Sequence, residues 1–279
     1  MHDPHDVGDG RTAVTVESGV LFATVDGVEL RLDIHRPALP GTPVVVYAHG
    51  GGWTRGDRQA DGATRLTPLA AYGVTVVAVD YRLAPGAVFP QQLHDLKGAV
   101  RWLRANGGRL GLATERLGMW GASAGAYLGS LLALSAGDSA LEGTVGGNAD
   151  RSSAVQAVVH WFGQTDLAAS AARSTVEAGL LPFHFEADLL GTPEPAAGPL
   201  RALSLLPRVS AQAPPFLIAH GDRDRIVPPA EGLALHDALS RAGARTRFEL
   251  LGGAGHEDAA FGAPASLAGT AAWLRTVLG

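Results

Sequence analysis

The stretch Gly121-Ala122-Ser123-Ala124-Gly125 matches the pattern G-x-S-x-G and directly follows a strand-like run that ends at Trp120. A helix is predicted just after it, over residues 127–132. A serine at such a strand-to-helix junction lies in a sharp, strained turn that holds its hydroxyl clear at the edge of a sheet. The flanking glycines let the strand and the helix approach more closely than a Cβ atom would allow. The stretch therefore predicts a nucleophilic serine, Ser123.

Strands and amphipathic helices alternate along the rest of the chain. Continuous apolar runs, typical of strands covered on both faces, occupy residues 44–48, 74–79, 155–161 and 216–219. A hairpin is predicted at residues 20–36, around the turn Asp26-Gly27. Helical spacing of apolar residues is found at residues 66–72, 91–106, 230–242 and 266–278. This alternation predicts an α/β fold, with a mostly parallel sheet between two layers of helices.

The 279 residues are expected to form a single α/β domain over residues 1–279. Residues 1–19 are interpreted as an N-terminal segment. A stretch at about residues 164–213 is rich in alanine and proline, and it contains a short amphipathic piece at residues 181–190. Because this stretch is too short for a core of its own, we interpret it as a small cap over the site.

The composition excludes several classes of protein and of site. The net charge of −5 comes with no basic block, so nucleic acid is not an expected partner. The sequence has no cysteine, which excludes disulfides, thiolate nucleophiles and thiolate metal sites. Residues 1–6 are polar and carry no signal core, and no apolar run is long enough to span a bilayer. We therefore expect a cytoplasmic protein.

Two further polar residues follow strands at the same edge of the predicted sheet. A serine hydroxyl needs a base to accept its proton, and the base needs a carboxylate to stabilise its cation. Asp224 follows the strand at residues 216–219, and His256 follows a strand-like run at residues 246–251. With Ser123 they occur in the chain order of an α/β catalytic triad, each at the carboxyl end of a strand. We predict that they converge as nucleophile, acid and base.

Other interpretations of these loops stay open. Asp222 competes with Asp224 as the acid, although its position closer to the strand favours a role in bracing the loop. A metal-dependent hydrolase is disfavoured, because no metal-ligand spacing recurs on one helix. The ligands of such a site would be His220, Asp222, Asp224 and His256.

The glycine-rich stretch His49-Gly50-Gly51-Gly52-Trp53 follows the strand at residues 44–48. Attack on a carbonyl carbon places negative charge on its oxygen, which requires N–H donors about 3 Å away. Gly51 and Gly52 can supply them because they have no side chain to keep a substrate away. Ala124, at the start of the next helix, is expected to supply a third. A phosphate-binding loop is the rival interpretation, but neither a following Lys-Ser/Thr pair nor G-x-G-x-x-G is present. His49 is expected to brace the loop.

These motifs together resemble the α/β-hydrolase superfamily, and within it the carboxylesterase branch related to hormone-sensitive lipase and to feruloyl-esterase-like bacterial hydrolases. The resemblance extends from about residue 20 to the C-terminus. It is carried by His49-Gly50-Gly51-Gly52-Trp53, Asp80-Tyr81-Arg82-Leu83-Ala84-Pro85, Phe89-Pro90, Gly121-Ala122-Ser123-Ala124-Gly125, His220-Gly221-Asp222-Arg223-Asp224, Val227-Pro228 and Gly255-His256.

The resemblance implies an eight-stranded sheet and assigns roles to several residues. The implied triad is Ser123, Asp224 and His256. The implied oxyanion donors are the N–H groups of Gly51, Gly52 and Ala124. Arg82 and Asp95 are expected to be structural partners that brace the loop after the strand at residues 74–79.

The chain departs from the common pattern of this branch near the expected pocket. The departures are Ala122, Ala126-Tyr127, His160 and Gln164. None of these residues belongs to the predicted triad, so the expected reaction is unchanged. The identity of the substrate cannot be carried over from the family. The side chains predicted to line the pocket are Trp53, Tyr127, Trp161, Phe162 and Gln164, although each aromatic ring could equally belong to the core.

The sequence thus predicts a serine hydrolase that cleaves short-chain or aryl carboxylic esters through an acyl-enzyme. The expected partner is a small-molecule ester, and neither a cofactor nor a metal is expected. An amide hydrolase on the same triad, such as an aryl-formamidase or a peptidase, is the alternative, because the pocket selects the leaving group. A non-catalytic binding protein on a hydrolase scaffold is a second alternative, which is less favoured because all three triad residues are present.

Overall fold

In the computed structural model, which describes residues 11–172 and 185–279, eight strands form one sheet. They are β1 (Val14–Val25), β2 (Val28–Pro37), β3 (Val44–Ala48), β4 (Thr75–Val79), β5 (Leu117–Ala122), β6 (Ala157–Trp161), β7 (Phe216–Gly221) and β8 (Thr246–Leu251). Their order across the sheet is β1-β2-β4-β3-β5-β6-β7-β8. β2 pairs antiparallel with β1 and β4, and the remaining pairs are parallel. The predicted eight-stranded, mostly parallel sheet is confirmed.

The hairpin around Asp26-Gly27 is confirmed, but its first strand begins earlier than predicted. β1 starts at Val14, so residues 14–19, expected to precede the sheet, belong to it. This edge strand is largely exposed, and its alternation is broken where its register with β2 shifts. The apolar pattern that marks the buried strands is therefore weak here. Asp26 and Gly27 have φ values of 51° and 80°, as a tight two-residue turn requires.

Eight α-helices lie in the described part of the chain. They are α1 (Thr67–Ala70), α2 (Gln91–Asn106), α3 (Ala124–Leu134), α4 (Leu167–Ala171), α5 (Phe185–Leu190), α6 (Ala197–Ala202), α7 (Pro229–Arg241) and α8 (Pro264–Leu278). The long helices predicted from apolar spacing are confirmed to within two residues. The helix predicted at residues 66–72 is shorter, and a π-helical turn at Gly62–Leu66 precedes it.

The strands β3 to β7 are buried on both faces, and β3 shows how the sequence achieves this. All five of its residues are buried. Val44, Val46 and Ala48 belong to the core on the side of α2 and α3. Val45 and Tyr47 point the other way, into the core beneath α1 and α8. Because side chains alternate along a strand, only a continuous apolar run suits a position between two helical layers.

The stretch predicted as a cap contains α4, α5 and α6 in its described part. Residues 181–184 of the predicted amphipathic piece lie outside the described residues, and residues 185–190 form α5. Phe185 lies directly against the glycine-rich loop, since a Cβ on Gly52 would overlap its ring. Among the described helices, none combines the length and the apolar character needed to cross a membrane.

Candidate active site

Ser123 lies in the turn between β5 and α3, with a φ of 52° and a ψ of −120°. This conformation is strained for a residue with a side chain. Two flanking glycines make the turn possible. A Cβ on Gly121 would overlap the backbone of Gly125, and a Cβ on Gly125 would overlap the carbonyl oxygen of Ala48. The close approach of strand and helix predicted from these glycines is confirmed.

The three side chains predicted as a triad form one chain of hydrogen bonds. The hydroxyl of Ser123 lies 2.9 Å from Nε2 of His256, and Nδ1 of His256 lies 2.7 Å from Oδ2 of Asp224. Because an ionised carboxylate can only accept, we assign the proton to Nδ1, which leaves Nε2 free to accept one from Ser123. Ser123 and Asp224 are buried, and the His256 side chain is 9% exposed. The fold thus brings together residues 133 positions apart in the sequence.

Asp224 is fixed by its own loop and by two imidazoles. Its Oδ1 accepts hydrogen bonds from the N–H groups of Ile226 and Val227, each at 2.9 Å. Nε2 of His220 lies 3.4 Å from Oδ2 and 2.8 Å from the carbonyl oxygen of Val227. Burial raises the pKa of Asp224, but the hydrogen bonds from His220 and His256 outweigh burial and lower the pKa from 3.8 to about 2. The carboxylate is therefore charged at neutral pH.

The glycine-rich loop after β3 passes beside Ser123. A Cβ on Gly50 would lie 3.4 Å from Cβ of Ser123. Gly51 and Gly52 have φ values of 108° and 61°, which favour glycine. Among the described residues, no group accepts a hydrogen bond from the backbone N–H of Gly51, Gly52 or Ala124. Within the described residues these three donors are thus unpaired, and Ala124 begins a helix whose dipole favours negative charge there.

Comparisons with known proteins identify the family of this chain. The family model BD-FAE matches residues 32–239. The chain belongs to the BD-FAE family. It is 32% identical to the esterase LipQ of Mycobacterium tuberculosis, over 87% of this chain and 57% of LipQ. It is 34% identical to the esterase LipC of the same organism, over 81% of this chain and 56% of LipC.

This BD-FAE chain spans little more than half the length of these two curated relatives. Among solved structures, a truncated carbohydrate esterase from gut microbiota has a TM-score of 0.82 at 24% identity, over 97% of this chain and 98% of that one. A likeness at this identity establishes the fold. The fold is that of the α/β-hydrolases, and the resemblance stated from the motifs is confirmed.

Two side chains brace the loops around the site of the BD-FAE chain. Nδ1 of His49 donates to the carbonyl oxygen of Gly50 at 2.7 Å, and its ring stacks on that of Tyr81 with centroids 4.3 Å apart. Asp222 accepts a hydrogen bond from the N–H of Gly253 at 2.7 Å. His49 and Asp222 therefore have the bracing roles predicted from the sequence.

Arg82 and Asp95 form the structural pair expected from the resemblance. Nε of Arg82 donates to Oδ2 of Asp95 at 2.9 Å, and Nη2 donates to Oδ1 at 2.8 Å. The backbone N–H of Arg82 also reaches Oδ2 at 2.9 Å. Because Asp95 is fully buried in α2, the pair ties the loop after β4 to that helix.

The side chains predicted to line a pocket are all buried. The indole N–H of Trp53 donates to the carbonyl oxygen of Ala124 at 3.2 Å. Tyr127 packs edge-on against Trp53, with ring centroids 5.5 Å apart, and its hydroxyl donates to the carbonyl oxygen of Leu203 at 2.9 Å. Trp53 therefore ties the glycine-rich loop to the start of α3, and Tyr127 ties α3 to the residue that follows α6.

The other three candidates are Trp161, Phe162 and Gln164, and the first two belong to the core on the opposite face of the sheet from Trp53 and Tyr127. Trp161 packs in the core, and Phe162 lies edge-on to His256 with ring centroids 5.1 Å apart. Gln164 is buried, and its Oε1 has no hydrogen-bond partner among the described residues. Contact of any of the five side chains with substrate stays a prediction.

Sequence reasoning missed Arg65 and Glu257. The guanidinium of Arg65 lies 5.6 Å from the ring centroid of Phe162, and it donates to the carbonyl oxygen of Glu257 at 3.4 Å. Nη1 of the same guanidinium forms an ion pair with Oδ1 of Asp61 at 3.1 Å. Arg65 thus supports both the ring and the loop that flank His256. No local pattern indicates this contact, because it joins positions 192 residues apart.

Proposed function

We propose that this chain is a serine hydrolase that cleaves carboxylic esters through an acyl-enzyme. Ser123 is the nucleophile, His256 the general base and Asp224 the acid that orients and stabilises it. The observation that carries the proposal is the continuous hydrogen-bond chain from Ser123 through His256 to Asp224. Beside it are three backbone N–H groups that donate to no described residue. The similarity to proteins named esterases supports it.

In the proposed reaction, Oγ of Ser123 attacks the ester carbonyl carbon while its proton passes to Nε2 of His256. The N–H groups of Gly51, Gly52 and Ala124 stabilise the oxyanion. Collapse of the tetrahedral intermediate breaks the C–O bond to the alcohol, which takes the proton from Nε2. Water then attacks the acyl-enzyme by the same route and releases the acid. The low pKa of Asp224 keeps this carboxylate ionised, so it stabilises the imidazolium formed in each half-reaction.

The proposed substrates are esters with a short acyl chain or an aryl alcohol. The described part of the cap stretch consists of short helices, and Phe185 of this stretch lies against Gly52. We infer that space beside the oxyanion loop is limited, which favours small acyl groups. A cytoplasmic location also stays a prediction, to be checked by fractionation of expressing cells.

The decisive test is the variant Ser123→Ala with a short-chain p-nitrophenyl ester. We expect kcat to fall by a factor on the order of 10⁴, because removal of the nucleophile leaves only the oxyanion hole and binding. The control is Ser152→Ala, an exposed serine outside the site, which should behave as the parent. Near-normal turnover by Ser123→Ala would refute the assignment.

A second measurement separates the serine mechanism from a metal-dependent one. Activity should survive EDTA and be lost to a serine-directed phosphonate. Matched ester and anilide substrates, assayed together, would show whether the site prefers esters over amides.

A further inference from the structure

The residue after His256 has a backbone conformation that its type does not favour. Glu257 has a φ of 56°, in the left-handed region. The other non-glycine residues with positive φ in the described part of the chain are Asp26, Trp53, Ser123, Asn148 and Phe162. Asp and Asn enter this region readily because their short side chains bond the local backbone, whereas glutamate gains no such compensation. Strain of this kind persists where the surrounding structure holds it, and it points to a functional constraint.

The surroundings of Glu257 show what the strain achieves. Its carbonyl oxygen accepts a hydrogen bond from Arg65, and its side chain leans toward the glycine-rich loop. A Cβ atom built on Gly50 would lie 2.7 Å from Oε1 of Glu257 and 3.4 Å from Cβ of Ser123. The backbone contact thus fixes the start of the side chain, and the carboxylate lies close to the oxyanion loop and to Ser123.

This carboxylate is available to a ligand. Within residues 11–172 and 185–279, it forms no ion pair, and Arg65 uses its guanidinium on Asp61 and on the Glu257 carbonyl. Glu257 is exposed, and its Oε1 lies near Gly50 and Ser123, so its charge lies at the solvent-facing rim of the site. A negative charge this close to the reacting carbonyl disfavours the developing oxyanion. The Glu257 carboxylate can therefore assist the reaction only if a positively charged group on the substrate offsets its repulsion of the oxyanion.

We propose that Glu257 determines substrate specificity, by favouring esters that carry a positive charge near the ester group and by disfavouring anionic esters. This inference rests on the proposed esterase function. The carboxylate attracts a cationic group on the bound substrate and repels an anionic one, with a strength reduced by the surrounding water. Neutral esters of the same shape are affected least.

The test uses three acetates that differ mainly in charge: acetylcholine, its neutral isostere 3,3-dimethylbutyl acetate, and 3-acetoxypropane-1-sulfonate. Each is hydrolysed by the parent chain and by Glu257→Gln, which keeps the side-chain shape but removes the charge. We expect the ratio of kcat/KM for the cationic ester to that for the neutral ester to fall about fivefold in the variant. The ratio of the anionic to the neutral ester should rise by a similar factor. Both changes should shrink in 0.5 M salt, at which the screening length is only about 4–5 Å.

Two further variants make the test specific. Glu17→Gln removes the same charge from an exposed position on β1, and it should leave both ratios unchanged. Glu257→Gly keeps the positive φ without strain, so it should reproduce the loss of charge selectivity even if Glu257→Gln folds poorly. Unchanged ratios in Glu257→Gln and Glu257→Gly, or equal changes in Glu17→Gln, would overturn the proposal while leaving the esterase function standing. If the parent chain hydrolyses none of the three acetates and no p-nitrophenyl ester, the esterase function itself fails, and this proposal fails with it.

Discussion

The chemistry of the site depends on which tautomer of a single imidazole is present. Asp224 accepts from Nδ1 of His256, and this leaves Nε2 facing the hydroxyl of Ser123. The loop N–H groups of Ile226 and Val227 saturate the other carboxylate oxygen, so Asp224 cannot rotate without losing two hydrogen bonds. The proposed base is therefore oriented before a substrate arrives.

At this scale we predict that Asp224→Asn lowers kcat by a factor on the order of 10⁴, with little change in KM. The amide can donate a hydrogen bond to Nδ1, which would favour the tautomer whose Nε2 carries a proton and cannot accept one. The matched control is Asp222→Asn, two residues away in the same loop, whose carboxylate accepts a hydrogen bond from the backbone N–H of Gly253. Steady-state kinetics on a p-nitrophenyl ester would decide the matter. A large loss in Asp222→Asn with little loss in Asp224→Asn would reverse the assignment of the acid.

At the scale of elements, the junction between β5 and α3 depends on backbone contacts that leave no room for a side chain. A Cβ on Gly125 would overlap the carbonyl oxygen of Ala48, at the end of β3. Neither group belongs to a flexible side chain, so the helix and the strand would have to separate. The orientation of Ser123 and the packing of α3 on the sheet therefore depend on the same glycine.

We predict that Gly125→Ala destabilises the fold by about 3 kcal/mol or more, because overpacking against backbone cannot relax locally. Gly269→Ala is the matched control, since this glycine lies within α8 and a Cβ there meets open space. It should stabilise the protein by about 0.5–1 kcal/mol through its helix propensity. Urea unfolding of the three proteins measures both effects. Equal stability of Gly125→Ala and the parent chain would contradict the packing argument.

The elements that could be predicted from sequence are those whose burial leaves a regular pattern. β3 and β8 begin and end where their apolar or alternating runs do, whereas the exposed edge strand β1 extends beyond its predicted start. Ser123 and its partners could be predicted because each follows a strand, which can be read locally, and because their order along the chain is that of an α/β triad. Arg65 and Glu257 could not, since their roles arise from contacts between distant segments and from a backbone angle that no local residue pattern specifies.

At the scale of the molecule, the parallel sheet explains why the site assembles at one edge. β3, β5, β7 and β8 all run in the same direction, so the loops after them emerge together. Backbone hydrogen bonds continue past the strand ends: the N–H of Ser123 donates to the carbonyl oxygen of Trp161, and the N–H of Phe162 to that of Ala219, each at 2.9 Å. The turn that carries Ser123 is thus part of the sheet and shares its rigidity.

The buried histidine His160 makes the stability of the whole molecule depend on pH. Nδ1 of His160 lies 2.8 Å from the hydroxyl of Ser130, Nε2 lies 3.1 Å from the carbonyl oxygen of Gly163, and the side chain is fully buried in β6. Burial lowers the pKa of His160 from 6.5 to about 4. Between these values the unfolded chain binds a proton that the folded chain does not, so stability is lost as the pH falls from 6.5 to 4.

We therefore predict that the parent chain loses about 2 kcal/mol of stability through His160 between pH 7.5 and pH 5. His160→Gln removes the titrating group, so its stability should fall less over the same range. Urea unfolding at a series of pH values gives the difference between the two proteins, which should change by about 2 kcal/mol in favour of the variant on acidification. Asp224 does not interfere, because its contribution to stability is present in full above its ordinary pKa of 3.8 and is lost only as the pH falls from there toward 2. A difference that stays constant from pH 7.5 to pH 5 would show that His160 does not resist protonation in the folded state.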